Sequence, residues 1–233
     1  MKTTVLKSIS ILCMSILCLF SVNAQDWANL KRFQKENDSL VISKAMEGRV
    51  VFMGNSITEG WINTHPDFFK NNRYINRGIS GQTTPQMLVR FRQDVISLKP
   101  KVVVILAGTN DIAGNTGPST LEMIIDNLAS MAELAKANGI QPILCSVLPA
   151  YDYPWKKGME PDIKIPKLNK LIKAYAAKKG FTYVDYFSPM ADERNGMIAA
   201  YTYDGVHCTS AGYEVMEKIV LPKIEKLLKP KKK

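Results

Sequence analysis

The chain has 233 residues, 46% of them apolar, and a net charge of +10. That length suits one ordinary domain with a sizeable core, and the apolar fraction excludes a disordered chain. The basic excess is partly terminal, with Lys229, Lys231, Lys232 and Lys233 in a solvated tail, and no nucleic-acid motif accompanies it, so nucleic acid is not an expected partner.

The first segment reads as an export signal. Lys2 and Lys7 precede an apolar run from Ile9 to Phe20, and Val22-Asn23-Ala24 suits a signal peptidase. The run is shorter than a membrane span requires, and the residues before Cys18 do not suit lipidation. Residues 1–24 are therefore expected to be a secretory signal peptide, 25–228 a single domain and 229–233 a basic tail. The mature protein would be periplasmic or extracellular, without a stable membrane anchor. Cys13 and Cys18 leave with the signal. Cys145 and Cys208 remain, too few for a disulfide scaffold and expected to be two unpaired thiols rather than one bridge.

Trp27 to about Lys44 has helical spacing, with Leu30, Phe33, Asn37, Leu40 and Val41 near one face. Arg49–Met53 reads as a strand ending at Gly54, and Tyr74–Asn76 as a second. Thr84–Leu98 reads as a helix stopped by Pro100. Lys101–Ala107 is an unbroken apolar run, as in a strand covered on both faces. Pro118–Asn138 is a helix, Ile140–Leu148 the fourth strand, Pro166–Lys179 a helix, and Phe181–Phe187 the fifth strand. Thr209–Leu228 is the last helix, interrupted near Pro222. Strands separated by helices imply an α/β fold with parallel pairing, helices on both faces and ligands at the carboxyl ends of the strands.

The polar motifs fall where that rule requires. Gly54-Asn55-Ser56 follows the first strand, Asn76-Arg77-Gly78-Ile79-Ser80-Gly81 the second, and Gly108-Thr109-Asn110-Asp111 the third. Asp204-Gly205-Val206-His207 lies near the C-terminus. A serine nucleophile needs a base within reach and a third group to orient that base. Only His65 and His207 are available, and Asp204 lies three residues before His207. Ser56, His207 and Asp204 are the expected triad. Acyl transfer also needs donors for the developing oxyanion, and the Ser56 and Gly81 backbones and the Asn110 amide are the candidates. Gly81 is expected to allow close backbone approach. His65 reads as a loop residue ahead of a helix, and Glu59 and Asp111 as residues that hold loops in place.

These four blocks, in this order, resemble the SGNH hydrolases, also called the GDSL lipase/acylhydrolase family. The resemblance implies a three-layer α/β/α sandwich with a five-stranded parallel sheet, flavodoxin-like in form. It also implies Ser56 as nucleophile, Gly81 and Asn110 as oxyanion donors, and Asp204 and His207 as the rest of the triad. One departure is Asn55, where the family has aspartate.

Aromatic residues flank two of the strand ends. Trp61 follows the nucleophile block, and Tyr151, Tyr153 and Trp155 follow the fourth strand. They are candidates for stacking on sugar rings, as against packing a lid. The leading expectation is a secreted esterase removing short acyl groups, most simply acetyl, from a small-molecule or oligosaccharide substrate, with no cofactor and no metal. A lysophospholipase or thioesterase would use the same five residues on longer chains. An inactive carbohydrate-binding module is disfavoured because no triad position is replaced, and a metal site on Asp204 and His207 because further histidine ligands are lacking.

Overall fold

The structure, a computed structural model, describes residues 26–42 and 48–229. The expected signal peptide, Cys13, Cys18 and the tail beyond residue 229 lie outside the described residues. Five strands form one wholly parallel sheet: β1 (Val50–Gly54), β2 (Tyr74–Gly78), β3 (Val102–Leu106), β4 (Gln141–Cys145) and β5 (Thr182–Val184). Their order is β2-β1-β3-β4-β5, the flavodoxin-like doubly wound arrangement, in which the order reverses between β1 and β3.

Alternation along each strand sorts side chains between two cores. Val51, Met53, Val103, Ile105 and Leu144 point to one face. There they meet Met87 and Phe91 of α4 (Thr84–Asp94), Ile124, Leu128 and Met131 of α6 (Leu121–Ala137), and Ile165, Leu168 and Ile172 of α7 (Pro161–Lys179). Val50, Phe52, Val102, Val104, Leu106 and Ile143 point to the other. They pack against α2 (Ser56–Thr64), α3 (Pro66–Asn72) and α9 (Ser210–Leu228). This is the three-layer α/β/α sandwich. Strands of β-branched and aliphatic residues are stable here because both faces are covered, so no polar alternation is required.

Several boundaries differ from expectation for identifiable reasons. The N-terminal segment makes turns over 27–33 before α1 (Gln34–Ile42), held by the Asp26 carboxylate accepting from the Leu30 and Lys31 amides at 2.7 and 3.0 Å. Leu30 is consequently exposed, whereas Asn37 of the expected face is buried. Helix α7 begins five residues before Pro166. The proline ring removes the amide that would bind the Asp162 carbonyl, and Asn195 Nδ2 donates to that carbonyl instead, at 3.1 Å. Helix α9 runs through Pro222 without a break. Strand β4 is shorter than its apolar run because Val147 and Leu148 pack in the core as a loop, and β5 ends at Val184, beyond which the Tyr186 and Phe187 amides donate to Ser146 Oγ. Helix α2 and the short α5 (Thr109–Ile112) and α8 (Phe187–Met190) are elements the sequence reading did not assign, whereas α3 starts at Pro66, directly after His65, where a helix start was read.

Candidate active site

The carboxyl edge of the sheet begins with two glycines in register, Gly54 and Gly78. A Cβ on Gly54 would clash with the Thr58 side chain, and one on Gly78 with the Glu59 backbone. Their bareness lets the first turn of α2 sit directly on the ends of β1 and β2. Ser56 occupies the first position of that helix, with Asn55 as its N-cap. Asn55 Oδ1 accepts from the Ile57 amide at 3.1 Å. Asparagine and aspartate serve equally well in this role, so the departure at position 55 keeps the cap.

Asp204 and His207 share a tight turn. Asp204 Oδ1 accepts from the amides of Val206 and His207 at 2.9 and 2.7 Å, and Oδ2 lies 2.6 Å from His207 Nδ1. Thr202 organises the turn, accepting from the Gly205 amide at 2.9 Å and donating to the His207 carbonyl at 2.7 Å. Burial pushes the Asp204 carboxyl up, but the His207 amide and imidazole and the Val206 amide outweigh it and hold it below its ordinary value. The ionised carboxylate accepts the Nδ1 proton, which leaves Nε2 bare. That nitrogen lies 2.9 Å from Ser56 Oγ. A hydroxyl so placed can pass its proton to the imidazole as it attacks a carbonyl.

The other half of the site is built from two loops. Gly81 has φ +76°, a conformation that favours glycine, and a Cβ there would meet no protein atom but would stand in open space at a residue that lines the cleft. Asn110 follows Gly108, whose φ of +128° turns the chain from β3 into α5. Asn110 Nδ2 donates to the Gln82 carbonyl at 2.9 Å, which anchors the amide through one hydrogen and leaves the second. Ser56, Gly81, Asn110 and His207 line one cleft of about 290 Å³, together with Ser80, Asn115 and Trp155. A larger hollow of about 640 Å³, beside Phe33, Ile62, Phe69 and Lys70, contains no member of the relay.

Supporting residues set this geometry. Glu59 accepts from the Ser80 amide at 2.9 Å, from the Ser80 hydroxyl, and from Arg32 at 3.2 Å. Burial acts to raise its pKa, but these bonds prevail and lower it. Asp111 accepts from the Thr84 amide at 2.9 Å, and burial raises its pKa against those bonds. Asn115 Nδ2 donates to the Gly81 carbonyl at 3.1 Å. Arg90 is fully buried and donates to the carbonyls of Gly54 and Arg77 at 3.1 and 2.9 Å, to Gln82 Oε1 at 2.6 Å and to Asp94 at 3.0 Å. It ties the turn that carries Ser56 to the loop that carries Gly81. Glu59 and Asp111 hold loops as expected. Thr202, Asn115 and Arg90 were missed: Asn115 and Arg90 reach carbonyls far away in the chain, which no local pattern marks, whereas the signal for Thr202 was local, two residues ahead of the Asp204–His207 turn.

The aromatic candidates separate. Trp61 is 1% exposed. It stacks on Phe68 and Tyr213 at 5.1 and 5.5 Å, and its indole nitrogen donates to Glu217 at 2.9 Å. It is a core residue and cannot meet a ligand. Tyr153 is likewise fully buried, its hydroxyl accepting from Thr109 at 2.9 Å. Tyr151 is exposed but carries the Arg194 guanidinium at 4.9 Å, away from the cleft residues. Trp155 alone of the four lines the cleft. It is 44% exposed, stacks on Tyr153 at 5.0 Å and lies 6.0 Å from the His207 ring. Tyr203, not singled out from sequence, is 72% exposed and stacks on His207 at 5.8 Å. Cys145 and Cys208 are buried and unpaired, and burial raises both thiols. Among the described residues, no helix is long and apolar enough to cross a membrane.

The sheet order and the chemistry gathered at its carboxyl edge define the class of protein: a carboxylic ester hydrolase of α/β type. The chain belongs to the GDSL-like lipase/acylhydrolase family, whose model matches residues 52–215. A GDSL-like lipase structure from Bacteroides thetaiotaomicron is 53% identical, with a TM-score of 0.83 over 85% of this chain and 98% of that one. Esterase TesA of Pseudomonas aeruginosa is 28% identical over 76% of this chain and 83% of its own. An uncharacterized lipoprotein of Bacillus subtilis is 34% identical over 47% of this chain, and the match spans about half of that relative, 54%. An acetyl-xylooligosaccharide esterase of Geobacillus stearothermophilus shares the fold at 20% identity, with a TM-score of 0.62 over 78% of this chain and 96% of that one.

Proposed function

We propose that this chain is an exported serine esterase that removes short acyl groups, most simply acetyl, from carbohydrate. The observation that carries the reading is the Ser56–His207–Asp204 relay, with spacings of 2.9 and 2.6 Å, in a small cleft bordered by Trp155. Ser56 Oγ attacks the ester carbonyl while His207 Nε2 takes its proton. The oxyanion meets the amides of Ser56 and Gly81 and the second hydrogen of Asn110 Nδ2. His207 returns the proton to the departing sugar oxygen, leaving an acyl-Ser56. Water, deprotonated by the same nitrogen, then releases the carboxylic acid.

Two features favour a short acyl group on a sugar. The cleft volume of about 290 Å³ suits a small acyl group rather than a long chain. Trp155 and Tyr203 offer open aromatic faces beside the imidazole that serves the leaving group, and such faces suit the apolar side of a pyranose ring. The name of the Geobacillus structural neighbour, an acetyl-xylooligosaccharide esterase, points the same way. Export rests on the leader pattern of residues 1–24.

The test is to assay the purified protein on acetylated oligosaccharides and on nitrophenyl esters of graded length. Activity should fall steeply beyond acetate and be supported by acetylated sugars. Rising activity with chain length would replace this reading with a lysophospholipase or thioesterase, and failure of a fluorophosphonate to label Ser56 would remove its nucleophile.

A further inference from the structure

A second hydroxyl–imidazole–carboxylate relay lies outside the cleft. Ser210 Oγ is 2.8 Å from His65 Nε2, and His65 Nδ1 is 2.7 Å from Glu217 Oε1. These spacings match the 2.9 and 2.6 Å of the Ser56 relay. None of the three residues lines the cleft that holds Ser56. We propose that Ser210 is a second nucleophilic serine, able to accept an acyl group from a small activated ester at the protein surface.

The surroundings prepare each member for that role. Glu217 Oε1 also accepts from the buried Trp61 indole at 2.9 Å, so the carboxylate is held in place. A carboxylate there can accept only from Nδ1–H, and in that tautomer Nε2 is the nitrogen that faces the Ser210 hydroxyl. His65 sits in the corner between α2 and α3, its amide bonded to the Trp61 carbonyl at 2.8 Å, which restricts the ring's placement. The His65 and Glu217 side chains are 17% and 19% exposed, so water is partly excluded from the relay, whereas Ser210 itself is exposed and open to a reagent. Ser210 is also the first residue of the 19-residue helix α9. The first amides of a helix have no intrahelical acceptor, and their positive end favours charge developing on a nearby oxygen.

The step balances. Ser210 Oγ bonds to the acyl carbon as its proton passes to His65 Nε2. The carbon–oxygen bond to the leaving group breaks, and that oxygen takes the proton back. Water discharges the acyl group by the same route. This proposal is independent of the role of Ser56. A purely structural tether between the α2–α3 corner and α9 would show the same hydrogen bonds without the reactivity.

The experiment uses the full chain carrying Ser56→Ala, treated with a fluorophosphonate and mapped by peptide mass spectrometry. An adduct should form on Ser210, and adding His65→Gln should slow it by about 100-fold, the low end for loss of a general base. Glu217→Gln should slow it in the same direction. In the unsubstituted protein, blocking of Ser56 should be followed by a second adduct mass, a readout that needs no variant to fold. The proposal is overturned if Ser210 stays unmodified in both preparations. It is equally overturned if the Ser210 adduct forms at a rate indifferent to His65→Gln and Glu217→Gln, as for any exposed serine.

Discussion

Ser56 Oγ and His207 Nε2 meet at 2.9 Å although 151 residues separate them in the chain. Neither residue sets that distance by itself. Ser56 opens α2, and His207 lies just ahead of α9. The two helices are locked together where Tyr213 donates its hydroxyl to the Ile57 carbonyl at 2.9 Å and stacks on Trp61 at 5.5 Å. Gly60 permits the contact, since a Cβ there would come within 2.9 Å of the Tyr213 hydroxyl.

On the proposed mechanism, Ser56→Ala and His207→Ala are each expected to lower kcat by about 10⁴-fold or more with the fold retained, as in serine hydrolases stripped of a triad member. Steady-state kinetics on an acetyl ester, with circular dichroism as the control for folding, checks this. Turnover close to that of the unsubstituted protein would refute the assignment.

Asn110→Ala should lower kcat by about 10²- to 10³-fold while changing KM little, because an oxyanion donor acts chiefly in the transition state. A rise in KM at constant kcat would instead make Asn110 a ground-state binding residue.

Arg90→Met would leave Asp94 without its buried cation and remove one donor from each of the Gly54 and Arg77 carbonyls. Removing one partner of a buried pair costs about 3–5 kcal/mol, so the midpoint of urea unfolding should fall markedly. Adding Asp94→Asn should recover part of the loss by removing the stranded charge. A midpoint unmoved by Arg90→Met would show that the clamp contributes nothing to stability.

Glu59 has a folded pKa below its ordinary value. Its ionised form therefore contributes stability that is present above the unfolded value, about 4.3. That contribution is lost as pH falls through the lower folded value. Glu59→Gln should destabilise the protein at neutral pH, and the gap in Tm between the two proteins should close in the acid range below about pH 4. A gap independent of pH would show that the charge is not what matters.

Trp155→Ala should raise KM for acetylated sugars while sparing small aryl acetates, because its open face borders the cleft. Trp61→Ala should cost stability, about 3–5 kcal/mol as for other buried aromatics. Calorimetry and paired KM values separate the two roles, and an unchanged KM for sugars in Trp155→Ala would remove the platform.

Much of the architecture was legible in the residues. Runs such as Val102–Leu106 are too uniformly apolar for a half-exposed element, and glycine-polar blocks at their ends mark the ligand edge of a parallel sheet. Asp204 and His207 were readable as a pair because three residues of turn bring them together without help from the rest of the chain. Helix α2 was not, since it is short and depends on the cap at Asn55 and on packing over Gly54 and Gly78. The start of α7 was misplaced because Asn195 compensates Pro166 from another segment.

The sequence alone determined the strands, the order of the chemical blocks and the types of group available. Those follow from interactions within a few residues, which periodicity and turn chemistry record. Tertiary structure alone decided that Ser56 meets His207, that Arg90 braces both loops, and that Trp61 is core while Trp155 faces the cleft. An aromatic ring is equally apolar in either place, and only the packing of distant helices determines which side of it meets water.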